Sequence, residues 1–140
     1  MKAKIIRFLP LLLWAAIIFA TSANPQPYAW LPASWRAPIN PAEPSSPSWD
    51  EVLGRVSHAG EYAILAILAA RAIVWKARIK PAHLIFAWAG SALYGLSDEI
   101  HQMYVPGRAF QIGDLALDSF GAFIGIFIFF LYRRKSASTL

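Results

Sequence analysis

Apolar residues in this chain come in long blocks instead of alternating with polar ones. A bilayer core about 30 Å thick needs roughly 20 mostly apolar residues in a helix. Four blocks meet or approach that length: Ile5 to about Ala20, about Val56 to Trp75, about Ala82 to Met103, and about Ile112 to Tyr132. Lipid offers backbone groups no hydrogen-bond partner, and four strands are too few to close a barrel, so each block is expected to be a helix. The predicted fold class is all-α, a transmembrane bundle of about four helices forming one domain over residues 1–140.

The basic residues set an orientation. Lys2, Lys4 and Arg7 precede the first block, Arg71, Lys76, Arg78 and Lys80 lie between the second and third, and Arg133, Arg134 and Lys135 follow the fourth. Those places hold ten of the thirteen Lys and Arg and no acid. The other side carries Arg36, Arg55 and Arg108 with all eight acids. An excess of Lys and Arg marks cytoplasmic segments. Both termini are therefore expected in the cytoplasm, in a multi-pass protein of the cell (inner, cytoplasmic) membrane. A basic start followed by an apolar run and Ala20-Thr21-Ser22-Ala23 also fits a cleaved signal peptide, which would leave three spans. Pro10 and Trp14 inside the run suit a retained helix.

Between Thr21 and Arg55 lie seven of the ten prolines, so this loop is expected to be extended or polyproline-like, a tether without chemistry of its own. Its Trp30, Trp35 and Trp49 suit a membrane interface, where an indole keeps one end wet. A hydrophobic share of 57% against 15% charged residues is too apolar for an ordinary soluble domain. The net charge of +5 raises nucleic acid as a partner, but its clustering beside apolar blocks assigns it to membrane topology instead, and no nucleic acid is expected. The absence of cysteine excludes disulfides, thiolate metal sites and a cysteine nucleophile.

Ionisable side chains within a span cost a few kcal/mol each at mid-membrane and tend to be paired or functional. His58, Glu61 and Tyr62 open the second span on one helical face. At the end of the third, Asp98, His101 and Gln102 fall at i, i+3 and i+4, with Glu99 beside them. Pro106-Gly107 then turns the chain and brings Arg108 back toward that face. Asp114 and Asp118 open the fourth span at i, i+4; two carboxylates so close need a cation, a shared proton or a metal ion. Arg108 is the nearest candidate cation in sequence, with Arg55, His58 and His101 as others. Gly121 and Gly125 form a G-x-x-x-G pair on the same face, which allows close packing and turns the aspartates into the bundle. Topology puts all three clusters at one end of the bundle, where they can share a polar pocket.

The run from Tyr94 to Gly125 resembles the signature of the VanZ-like family of small membrane proteins. It reads Asp98-Glu99-Ile100-His101-Gln102, then Pro106-Gly107-Arg108, then Asp114, then Gly121 with Gly125. Arg55, His58 and Tyr62 match an earlier element of the family, which usually has lysine where this chain has Arg55 and often asparagine where it has Asp118. The family is named for a teicoplanin-resistance protein, so the resemblance implies a link to antibiotic resistance and the cell envelope without a settled activity.

Three functions stay open on the residues. In an enzyme acting on an envelope lipid, a lipid-linked precursor or a glycopeptide-type ligand, Asp98, His101, His58 and Asp114 are the candidate catalytic groups. His101 or His58 would transfer protons, and Asp98, Asp114 and Asp118 would orient them or hold a divalent cation. Arg108, Glu99, Gln102, Glu61, Tyr62 and Asp118 are the candidate substrate contacts, Arg108 holding a phosphate or carboxylate. No Ser-His-Asp spacing or H-E-x-x-H motif assigns a mechanism or a resident metal. The alternatives are a non-catalytic ligand- or partner-binding module and a purely structural ion-paired bundle. The bilayer itself is the first partner, and four helices bury little enough to leave room for a homodimer.

Overall fold

The computed structural model describes residues 6–40, 42–43, 45–75 and 77–137. Ile5, Lys2, Lys4, Pro41, Pro44 and Lys76 lie outside the described residues. The described chain is all-helical: α1 Leu9–Ser22, α2 Trp49–Val74, α3 Pro81–Gln102 and α4 Ile112–Ala137, with a short 3-10 turn at Ala33–Trp35. Among the described residues the only strand-like pairing is an isolated antiparallel bridge between Pro38 and Ser48.

Local chemistry sets the helix starts. Proline fixes φ near the helical value and gives up an N–H that a first turn does not use, and both α1 and α3 carry one in their first turn, Pro10 and Pro81. α2 starts seven residues before the apolar block because Trp49–Arg55 form an acidic first turn and a half. There the Ser48 N–H donates to Glu51 Oε2 at 3.3 Å, and Asp50 and Glu51 face the positive end of the helix dipole. The proline-rich loop is correspondingly shorter than its composition indicates. Thr21 and Ser22 finish α1, the stretch from Trp49 is helix, and Trp35 and Trp49 approach to 6.3 Å between ring centroids.

α2 is the hub. It packs most extensively on α4 and also touches α3 and α1, while α1 makes the lightest contacts. The core is Tyr62, Leu65, Ala66, Ala70 and Val74 of α2 with Ile18, Ala87, Ala122, Ile126 and Phe129 from the other three. α1 is fastened by two side chains that reach backbone carbonyls: Trp14 Nε1–H donates to Glu61 O at 2.9 Å and Tyr94 Oη–H to Ala15 O at 2.7 Å. The outside of α4 leaves Phe120, Phe123, Phe127, Ile128 and Leu131 exposed. That distribution, apolar outward and polar inward, suits a lipid surround. Two helices, Trp49–Val74 and Ile112–Lys135, are long and apolar enough to cross a membrane. At 1.5 Å per residue the 14-residue α1 reaches only about 21 Å.

The two ends of the bundle differ in charge. Arg133 Nη2 donates to Ala77 O at 3.5 Å, joining the end of α4 to the α2–α3 turn, so two of the basic clusters share one end. The acids at the α2 start, α3 end and α4 start share the other.

The closest approach is between α2 and α4. A Cβ on Gly121 would collide with the Ala59 carbonyl and stand 2.7 Å from Ala59 Cα; one on Gly125 would collide with the Ala63 carbonyl. Gly121→Ala is therefore expected to cost about 1–3 kcal/mol through overpacking and to lower the thermal midpoint in detergent by several degrees. Gly60→Ala, which meets nothing within 4 Å, should stay within about 1 kcal/mol of wild type. Thermal denaturation of the two purified variants checks both.

Candidate functional site

The acidic end of the bundle encloses a cavity of about 500 Å³ between the end of α1, the start of α2, the end of α3 and the start of α4. Of the residues singled out by sequence, His58, Glu61, Asp98, Gln102, Arg108 and Asp114 line it, together with Arg55. Helical spacing explains most of this. His58 and Glu61 are one turn apart on α2, and Asp98 and Gln102 are one turn apart on α3, joined by a 3.1 Å bond from Gln102 Nε2 to Asp98 Oδ2. Gly107 takes φ +80°, a left-handed conformation open to glycine at little cost, and Arg108 N–H closes the turn on Val105 O at 3.0 Å. That turn carries Arg108 back over the cavity. Among the described residues neither Arg55 nor Arg108 has an ion-pair partner within 4.0 Å.

Two further carboxylates, Asp118 and Glu99, are fully buried and do not line the cavity. Asp118 is 0% exposed, and its Oδ1 stands 3.0 Å from Nδ1 of His58, whose side chain is 13% exposed. His58, not Arg108, is thus the group that answers Asp118. Gly95 of α3 makes room, since a Cβ there would lie 3.0 Å from Asp118 Oδ2 and 3.3 Å from Tyr62 Cε1. Glu99 is also 0% exposed. Its Oε2 accepts the Gln111 backbone N–H at 2.8 Å, just ahead of the α4 N-terminus, where the helix dipole favours a carboxylate. Among the described residues its Oε1 has no hydrogen-bond partner, nor do Asp98 Oδ1, Asp118 Oδ2 and Tyr62 Oη. His58, Glu99 and Asp114 each place a ligand-capable atom within 4.8 Å of the other two.

Other expected members stand apart. His101 does not line the cavity; it turns to α1 and stacks on Phe19 at 4.4 Å between ring centroids, with Nε2 buried and unpartnered. Sharing a helical face with Asp98 to within one turn was not enough, because α1 packs into the gap. Tyr62 is buried beneath the cavity, 6.4 Å from the Tyr94 ring. Conversely, the proline-rich loop contributes Pro27 and Tyr28 to the wall, the tyrosine ring seated at Gly54, and Gln111 and Ser57 also line it. Gly54 is a weak signal for such an approach; nothing in the loop sequence singles out Tyr28.

Removing one partner of a buried hydrogen-bonded histidine–carboxylate pair strands the other and costs more than removing an unpaired rim group. His58→Ala should destabilise the protein by about 3–5 kcal/mol, the range for breaking a buried pair. Arg108→Ala should leave the thermal midpoint nearly unchanged. Paired melts in the same detergent check the ordering.

The comparisons with known proteins agree with the motif. No curated protein and no solved structure matches the chain. The family described as VanZ/LLP1 matches residues 7–133, which takes in α1, the cavity and all but the last residues of α4. With two helices able to cross a membrane and that match over most of its length, the chain is a membrane protein of the VanZ/LLP1 family.

Proposed function

We propose that this protein is a four-span inner-membrane protein, both termini cytoplasmic, whose cavity opens at the extracytoplasmic face and holds the anionic head group of an envelope lipid or lipid-linked precursor for chemistry there. One observation carries the reading: two arginines, Arg55 and Arg108, border a polar cavity with no ion-pair partner among the described residues. A guanidinium in that state offers its N–H fork to an incoming phosphate or carboxylate. The same cavity presents Glu61 and Asp98, carboxylates suited to orient or exchange protons with a bound head group. A depth of one or two helical turns from the bundle end matches the level of lipid head groups. Orientation follows from the basic clusters at the opposite end.

Two experiments test the reading. The chain has no cysteine, so single cysteines report topology directly. Ser45→Cys in the loop should react with an impermeant thiol reagent in intact cells, and Ala77→Cys in the α2–α3 turn only after permeabilisation. The reverse pattern would invert the proposed orientation. For function, envelope lipids and lipid-linked precursors would be profiled by mass spectrometry in cells holding equal membrane levels of wild type, Arg108→Ala or Asp98→Asn. A species that changes with wild type and not with either variant is expected; identical profiles in all three would overturn the lipid-directed activity.

A further inference from the structure

We infer that His58, Glu99 and Asp114 form a site for one divalent transition-metal cation, of the Zn²⁺ or Mn²⁺ kind, in the floor of the cavity. This names the cation of the same site, and it rests on the geometry of these side chains, independently of the lipid reading.

The three residues come from α2, α3 and α4, far apart in sequence, yet their ligand-capable atoms lie within 4.8 Å of one another. Ligand atoms around a cation at about 2.0–2.2 Å stand roughly 3–4 Å apart, so modest side-chain rotation closes the set. Three further features point to a ligand and not to a chance acidic cluster. Glu99 is 0% exposed and its Oε1 has no protein partner, an arrangement that costs free energy unless something else satisfies the oxygen. His58 is held through Nδ1 by the buried Asp118, which leaves the lone pair of Nε2 for a metal. A carboxylate that orients the ring through its other nitrogen is the usual support of a metal-binding histidine. The charges also balance: two carboxylates with a neutral imidazole neutralise a divalent cation and remove the repulsion between Glu99 and Asp114.

The donor set selects the kind of cation. Imidazole suits zinc and its neighbours, whereas Mg²⁺ and Ca²⁺ favour all-oxygen sites. Three protein ligands leave a position open toward the cavity, where Arg108 also reaches. A phosphate or carboxylate oxygen entering there would meet the cation and the guanidinium together.

The test uses the full-length protein in detergent, purified without a polyhistidine tag and stripped with a chelator. Zn²⁺ and Mn²⁺ are then titrated by calorimetry, and retained metal is counted by mass spectrometry after desalting. Wild type should retain close to one equivalent of one of the two cations and gain thermal stability on binding it, with Mg²⁺ far weaker. Asp114→Asn, at the half-buried ligand, should bind at least tenfold more weakly while keeping the wild-type helical content, and Asp118→Asn should weaken binding about 10–100-fold through the histidine. His101→Ala, outside the trio, should bind as wild type does. Should His58→Ala fail to fold, Co²⁺ absorption in wild type and Asp114→Asn gives a second readout, since imidazole and carboxylate ligation alters the visible bands. Sub-stoichiometric retention by wild type, or full affinity in folded Asp114→Asn, would overturn the site. Stoichiometric binding with unchanged lipid profiles would sustain it and overturn the lipid reading alone.

Discussion

The close approach of α2 and α4 is the constraint on which the remaining structure depends. Gly121 and Gly125 present bare backbone to Ala59 and Ala63, so the two helix axes come nearer than any side chain between them would allow. That proximity brings Asp118, one turn before Gly121, within 3.0 Å of His58, one residue before Ala59. The same device repeats on the third side, where Gly95 of α3 leaves room for Asp118 Oδ2 and the Tyr62 ring. Three glycines therefore set the distances at which one histidine, one aspartate and one tyrosine meet. In lipid, where apolar burial between helices gives little driving force, such packing together with interhelical hydrogen bonds is what holds a bundle.

The second consequence is the unequal satisfaction of the polar groups. Gln102 serves one oxygen of Asp98, Gln111 serves one oxygen of Glu99, and His58 serves one oxygen of Asp118, while the other oxygen of each is buried without a partner. A network built only to fix helix register would be expected to close on itself, since a half-satisfied buried network costs more than an apolar core. Three carboxylates, each held by one oxygen and open on the other, fit a site completed by something that enters it.

Much of this was legible in the sequence, and the limits are physical. The helices and the charged ends follow from apolar block length and from the placement of Lys and Arg, because both are properties of single helices; two of the four blocks form helices long and apolar enough to cross a membrane. The G-x-x-x-G pair likewise points Asp118 inward before any partner is known. The choice of His58 over Arg108 for Asp118 depends on which helices touch, and that is set by residues such as Gly95 that carry no charge. His101 shows the same limit: its position relative to Asp98 follows from spacing, but its stacking on Phe19 depends on where α1 docks. The start of α2 at Trp49 escapes a count of apolar residues because an acidic, capped turn can extend a helix beyond its lipid-facing block. Tyr28 escapes altogether, since the path of a proline-rich loop is decided by what it packs against.

The depth of the polar site bears on what kind of function it can serve. A relay or pore needs ionisable or wet groups along the whole bundle, and here the apolar core begins directly beneath the cavity. Tyr62 is followed on α2 by Leu65, Ala66, Ala70 and Val74, and these are met from α4 by Ala122, Ile126 and Phe129, all buried. No ionisable side chain of α2 lies between Tyr62 and Arg71. Among the described residues this apolar stretch of α2 and α4 offers charge at His58 no onward partner toward the basic end, which speaks against a relay. On the proposed reading, a head group tethered in the adjacent leaflet would arrive at that depth already oriented, and would lose less freedom on binding than a free solute.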